Sequence, residues 1–154
     1  MATLPNHDQL MEALAKCELF HTLSKSHLAA LLPILKPVEY EAGKILFRKG
    51  ELGDSLYILV LGSAGVFDDV DSPQAKPIYV YQPGGTFGHI ALFTGGLRSL
   101  GAKAVTECTI IHLKREELFE LMKADFEIAK VVVQKLAERI IELTPKYVSD
   151  PASK

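Results

Sequence analysis

The spacing of apolar positions changes period twice along this chain. Near the start, Leu10, Met11, Leu14 and Ala15 recur at intervals of three and four, which predicts a helix capped by Asp8. Ser24 opens a second short helix with Leu28, Leu31 and Leu32 on its face, and Pro33 ends it. From Val38 to Leu113 the segments shorten and fill with β-branched and aromatic residues, at 44–47, 55–61, 64–67, 78–82, 102–106 and 109–113. Turn signals such as Ala42-Gly43, Lys49-Gly50, Gly53-Asp54, Gly62-Ser63, Ser72-Pro73 and Pro83-Gly84-Gly85 separate them. Short strands punctuated this way predict an antiparallel sandwich or jelly-roll barrel. The helical period then returns over 114–122. Asp125 caps a longer helix from Phe126 to about Leu143, and Thr144-Pro145 stops it, because the residue before proline avoids the α region. The expected class is α+β: an antiparallel β jelly roll between N-terminal and C-terminal helices, one domain over 8–144 with a polar tail over 145–154.

Composition narrows the function. The chain has 154 residues, 48% hydrophobic and 23% charged, enough apolar material for one buried core. Its 17 basic and 19 acidic residues give a net charge of −2, without the basic excess of a nucleic-acid surface. No apolar run approaches the ~20 residues that span a bilayer, and Met1 to Asp8 lacks the pattern of a signal peptide. The expectation is a cytoplasmic protein with neither a nucleic-acid nor a membrane partner. Cys17 and Cys108 have no Cys-x-x-Cys partner and read as small buried hydrophobes. The five histidines are scattered, none two residues from another, which argues against a metal site. Asp68, Asp69 and Asp71 lack the spacing of a calcium loop and read as a solvated turn. There is no P-loop, no His-Glu-x-x-His and no nucleophile with a base, so an enzyme is not expected.

The informative chemistry lies in Phe87-Gly88-His89-Ile90-Ala91-Leu92-Phe93-Thr94-Gly95-Gly96-Leu97-Arg98-Ser99. A glycine lets backbone approach a ligand closely, a helix start offers free N–H groups to negative charge, and an arginine supplies a forked, permanent cation. That order suits an anion cradle. The bland alternatives are a tight turn packing on the barrel and, for Arg98, a solvated surface arginine or an ion pair with a carboxylate.

The stretch resembles the phosphate-binding cassette of cyclic nucleotide-binding domains, the family found in catabolite activator protein and protein kinase A regulatory subunits. Supporting matches run over Tyr40-Glu41-Ala42-Gly43-Lys44-Ile45-Leu46-Phe47-Arg48-Lys49-Gly50, then Gly53-Asp54-Ser55-Leu56-Tyr57-Ile58-Leu59, then Gly62 and the Gly84–Gly88 spacing. The resemblance covers roughly Leu10 to Leu143. It implies a ligand, cyclic AMP or cyclic GMP, and no other cofactor. By the same resemblance, Arg98 would hold the phosphate and Gly88 would bring its backbone near the sugar. Ile90 and Ala91 would begin a short helix whose N–H groups face the phosphate, and Ser99 would donate its hydroxyl to the phosphate or to a guanine edge.

Three positions depart from the pattern. His89 stands where the family has its ribose-binding glutamate. Exchanging a charged acceptor for a neutral one weakens binding by roughly 1 kcal/mol, about fivefold; a protonated His89 would instead add positive charge near the phosphate. Leu97 replaces a proline, which is expected to loosen the turn, and Leu100 replaces a small residue, which is expected to crowd the pocket. The implied function is a non-catalytic sensor relaying nucleotide binding through the C-terminal helix. The alternative is a degenerate jelly roll acting as a protein-interaction module without nucleotide.

The last helix carries an a/d seam: Phe126, Ala129, Val133, Leu136, Ile140 and Leu143, flanked by Val132, Ala137 and Ile141. It predicts a homodimer or an effector contact through 126–143, with packing on the chain's own barrel as the alternative.

Overall fold

In the computed structural model, which describes residues 4–144, two central strands bury both of their faces. Strands β3 (Ser55–Leu61) and β8 (Cys108–Lys114) pair antiparallel with Ile58 opposite Ile111. Leu56, Ile58 and Val60 of β3, with Ile111 and Leu113 of β8, face the helices. Tyr57, Leu59, Cys108 and Ile110 face the opposing sheet. A strand covered on both sides reads as a near-continuous apolar run, as 55–61 does, while 109–113 carries Thr109 and His112 among its apolar residues. β1 (Lys36–Tyr40) pairs with β8 and β6 (Thr86–Phe87) with β3, giving the order β1-β8-β3-β6. The second sheet is ordered β2-β7-β4-β5, from β2 (Ile45–Phe47), β7 (Gly101–Ala104), β4 (Ala64–Phe67) and β5 (Tyr79–Tyr81). Every pairing is antiparallel. Two such sheets face to face, flanked by helices, make the expected α+β jelly roll.

The helices are α1 (His7–Lys16), α2 (Lys25–Leu31), α3 (His89–Thr94), α4 (Arg115–Ala124) and α5 (Phe126–Leu143). Ser24 and Asp125 cap α2 and α5 as expected. Asp8 does not cap α1. Asn6 does, through a reciprocal pair in which its side chain accepts from the Gln9 N–H and the Gln9 side chain accepts from the Asn6 N–H, both at 2.9 Å. Asp8 lies in the first turn instead. Pro33 does not close the helical path at once; it sits in a 3₁₀ turn, Leu32–Ile34, where its missing N–H costs nothing. β1 and β6 have no counterpart among the expected strands. β1 contains Lys36, Pro37 and Glu39, and as an edge strand it tolerates the proline. Cys17 and Cys108 are free and buried as expected. Asp68 and Asp71 lie on the surface, paired with Lys49 and Arg48. The expected tail over 145–154, with its Pro145 stop, falls outside the described residues.

The packing of α5 separates two stripes that the sequence runs together. Ile128, Val131 and Val132 are buried against the helix-side core, with Leu136 partly so. Of the expected seam, Phe126, Val133, Ile140 and Leu143 are 75%, 62%, 58% and 67% exposed. Packing on the chain's own barrel therefore uses the adjacent face, and Val132, expected at the flank, is at its centre.

Candidate functional site

Backbone geometry builds the site first. Gly88 ends β6 with φ +79°, a left-handed conformation that glycine adopts without strain, and α3 starts at the next residue. Gly95, also left-handed, closes α3. The chain then returns alongside the turn before β3. The Arg98 N–H donates to Glu51 O at 2.7 Å, Gly50 N–H to Arg98 O at 2.9 Å, and Gly53 N–H to Gly96 O at 3.2 Å, with Leu97 bridged to Leu52. These backbone bonds tie the segment around Leu97 to the turn before β3.

That frame drives Arg98 inward until only 5% of it is exposed. Its Nη1 donates to the Gly88 carbonyl at 2.7 Å and its Nη2 to the Ser55 carbonyl at 2.8 Å. The guanidinium carbon lies 4.2 Å from the centroid of the Phe47 ring and 5.4 Å from that of Tyr57, a cation–π arrangement. Among the described residues no carboxylate pairs with it. Arg98 is not a solvated surface side chain, nor, among the described residues, half of an ion pair. Gly53 makes room for it: a Cβ there would overlap Ala91 Cβ and stand 2.9 Å from Arg98 Cζ and Nε.

The guanidinium borders a cavity with about 490 Å³ of empty space, part of it open to solvent. All seven residues singled out in the sequence line it: Gly88, His89, Ile90, Ala91, Arg98, Ser99 and Leu100. The remaining wall is Phe47, Val66, Tyr81 and Phe87, none of which was given a role in the site from the sequence. Phe47, Tyr57, Phe87 and Tyr81 form a run of stacked rings with centroids 5.5, 5.4 and 4.9 Å apart. Gly53, Ser55 and Tyr57 were missed as well. The Gly53-Asp54 turn carried the signal, but it reads equally well as punctuation before a strand.

His89 is half-buried, and its Nδ1 is buried without a hydrogen-bond partner in the protein. Burial pushes its pKa below the ordinary 6.5; Glu18 opposes this weakly and Arg139 adds to it. Burial thus favours the neutral imidazole over the added cation that a protonated His89 would supply. The site can hold one anion against a buried cation and a flat apolar group against aromatic rings.

Comparison with known proteins agrees with this geometry. The family model described as the cyclic nucleotide-binding domain matches residues 37–125. The CRP-like cAMP-activated global transcriptional regulator of Mycobacterium tuberculosis is 29% identical over 129 residues, 84% of this chain and 58% of that protein. The chain thus spans little more than half the length of this curated relative. The N-terminal domain of a transcriptional regulator from Streptomyces coelicolor superposes with a TM-score of 0.77 at 25% identity, covering 90% of this chain and 99% of the other. The regulatory domain of Toxoplasma gondii PKA, crystallised with cAMP, superposes with a TM-score of 0.66 at 25% identity, covering 74% and 43%. This chain belongs to the cyclic nucleotide-binding domain family.

Proposed function

We propose that the domain is a non-catalytic, cytoplasmic sensor that binds cyclic AMP or cyclic GMP in this cavity and relays binding through α5. The observation that carries the reading is Arg98, a buried guanidinium with no carboxylate partner among the described residues. A buried charge is costly unless it is paired, and two backbone carbonyls leave three of its five N–H donors free. A cyclic phosphodiester supplies the missing negative charge. The purine then lies against the aromatic wall, and Ser99 and the backbone around Ile90 and Ala91 border the same space. Leu100 narrows the cavity without closing it. Cyclic AMP takes precedence because the names of the relatives above specify it.

Support for the relay comes from the far half of α5. Arg139 of α5 pairs with Glu18, just beyond α1, at 3.0 Å. Ligand shifts α5 only by its differential affinity for two arrangements of that helix. The exposed Phe126, Val133 and Ile140 stripe supplies a face for a second copy or an effector. Ile140→Glu should lower the mass of a parent dimer in analytical ultracentrifugation, and a monomeric parent at high micromolar concentration removes the dimer from the reading.

Titration calorimetry with both nucleotides tests the function. Arg98→Ala should weaken binding roughly 10- to 150-fold, the worth of about 1.5–3 kcal/mol for charged hydrogen bonds. Absence of heat and of thermal shift at millimolar nucleotide would favour the alternative, a jelly roll that acts by contacting proteins.

A further inference from the structure

Inside the barrel the Arg98 guanidinium meets aromatic rings where a buried cation ordinarily meets a carboxylate. Its carbon lies 4.2 Å from the centroid of the Phe47 ring and 5.4 Å from that of Tyr57, and the two rings stack at 5.5 Å. The terminal nitrogens each hold one backbone carbonyl, that of Gly88 and that of Ser55. Nε is buried with no hydrogen-bond partner among the described residues. An orphaned donor on a buried cation favours the departure of the side chain into water. A ring face opposes that departure, because its quadrupole attracts a cation, most strongly where both are desolvated. Phe47 is the nearer of the two rings, and it lines the cavity whereas Tyr57 does not.

From this we infer that Phe47 is a positioning residue: its ring seats the Arg98 guanidinium in the binding position before nucleotide arrives. The inference rests on the reading that Arg98 holds the nucleotide phosphate. Phe47 ends β2 and pairs with Ala102 of β7, so the ring is placed by the sheet and not by the cassette it serves. In the free protein the guanidinium divides between this seat and positions in water. Apparent affinity scales with the seated fraction. Removing the ring lowers that fraction and leaves the contacts of the seated form to the phosphate as they were. The worth of a cation–π pair corresponds to about three- to thirtyfold in such an equilibrium. Arginine suits the seat because its planar head stacks on a ring while donating in its own plane to two carbonyls.

The test is titration calorimetry of the full chain with cyclic AMP, on the parent, Phe47→Leu, Phe47→Tyr, Arg98→Ala and the double variant Phe47→Leu/Arg98→Ala. Phe47→Leu keeps an apolar side chain in β2 but no ring, and should weaken binding about three- to thirtyfold. Phe47→Tyr keeps the ring face and should stay within about twofold of the parent. In the Arg98→Ala background, Phe47→Leu should cost less than about twofold, because the residue it acts through is gone. An equal loss in both backgrounds overturns the inference and makes Phe47 a direct contact of the nucleotide. Unchanged affinity in Phe47→Leu overturns it too. A second measurement needs no nucleotide: the Arg98 Nε–H resonance, assigned by its disappearance in Arg98→Ala, should carry the ring-current shift of Phe47. Phe47→Leu should remove that shift and Phe47→Tyr retain it. An Arg98 resonance at the position of a solvated arginine in the parent overturns the inference, even where Phe47→Leu fails to fold. If Arg98→Ala binds cyclic AMP as well as the parent, the underlying reading falls and the inference with it.

Discussion

The two faces of β3 bury different chemistry. On the helix side, Leu56, Ile58 and Val60 join a cluster of aliphatic and phenyl side chains from α1, α2, α4 and α5. On the sheet side, Tyr57 and Leu59 share their space with a guanidinium, an imidazole and a phenol. Arg98 lies over Tyr57. His112 meets Tyr57 edge-on at 4.7 Å, and its Nε2 is 2.6 Å from the Tyr40 hydroxyl. Buried polar groups weaken a core unless each finds a partner, so a fold selected for stability alone gains nothing from placing them there. One face of the strand carries the fold, and the other gives up some stability to hold a charged side chain in position. Changes on the first face should therefore cost stability at constant affinity, and changes on the second should reach the ligand.

The largest effect expected is on the helix side. Leu113 is fully buried between β8 and the helices, and Leu113→Ala should cost about 2–5 kcal/mol. Urea denaturation would read this as a fall in midpoint. The folded fraction should bind nucleotide within about twofold of the parent, since Leu113 belongs to the helix-side core and does not line the cavity. An affinity loss of tenfold or more would break the division between the faces.

Gly53→Ala probes the opposite case. The added methyl overlaps Ala91 and crowds Arg98 Cζ and Nε, so the guanidinium or α3 has to move. Overpacking of this kind costs about 1–3 kcal/mol, less than the loss of Leu113. Affinity should fall at least tenfold. Equal affinity in the parent and Gly53→Ala would show that the position of Arg98 in this structure is not the binding position.

How much of this contrast is visible in the sequence depends on the pattern each face leaves. Two-sided burial made β3 a nearly unbroken apolar run and β8 an apolar run broken only by Thr109 and His112 before Lys114, so the strands were legible but their division into two faces was not. The cassette was legible because glycines and an arginine at fixed spacing have few other uses. Its aromatic wall was not, because Phe47, Tyr81 and Phe87 are also good strand residues anywhere in a barrel. α5 shows the same ambiguity. Ile128, Val131 and Val132 stand at helical spacing, as do Phe126, Val133 and Ile140. Periodicity alone does not say which stripe meets the core. β1 was hidden by Lys36, Pro37 and Glu39, which an edge strand accepts and a central one would not.

The polar side of the barrel should also give the protein a pH dependence. Burial lowers the pKa of both His89 and His112 below 6.5. As pH falls, the unfolded chain takes up protons on these rings before the native state does. The stability they allow is thus fully present above about pH 6.5 and is lost as pH falls through the lower native values. Melting temperature should drop between pH 7.5 and 5.5, and His112→Phe should flatten that slope. A slope unchanged in both His112→Phe and His89→Gln would assign the acid sensitivity to other groups.

The smallest effect tests the division from the far end of the helix side. Asn6 satisfies the Gln9 N–H at the start of α1, and Gln9 returns the bond. α1 in turn contributes the buried Ala13 and Leu14 to the helix-side core. Asn6→Ala should cost about 1 kcal/mol through the lost cap. Asp8→Ala removes only a favourable charge in the first turn, worth about 0.3–1 kcal/mol, and should cost no more than that. The order of the two urea midpoints distinguishes the observed cap from the one expected at Asp8. Neither variant should alter nucleotide affinity, because neither side chain touches the cavity or its aromatic wall. A measurable change in affinity for Asn6→Ala alone would mean that α1, through the Glu18–Arg139 pair just beyond it, belongs to the relay rather than to the scaffold.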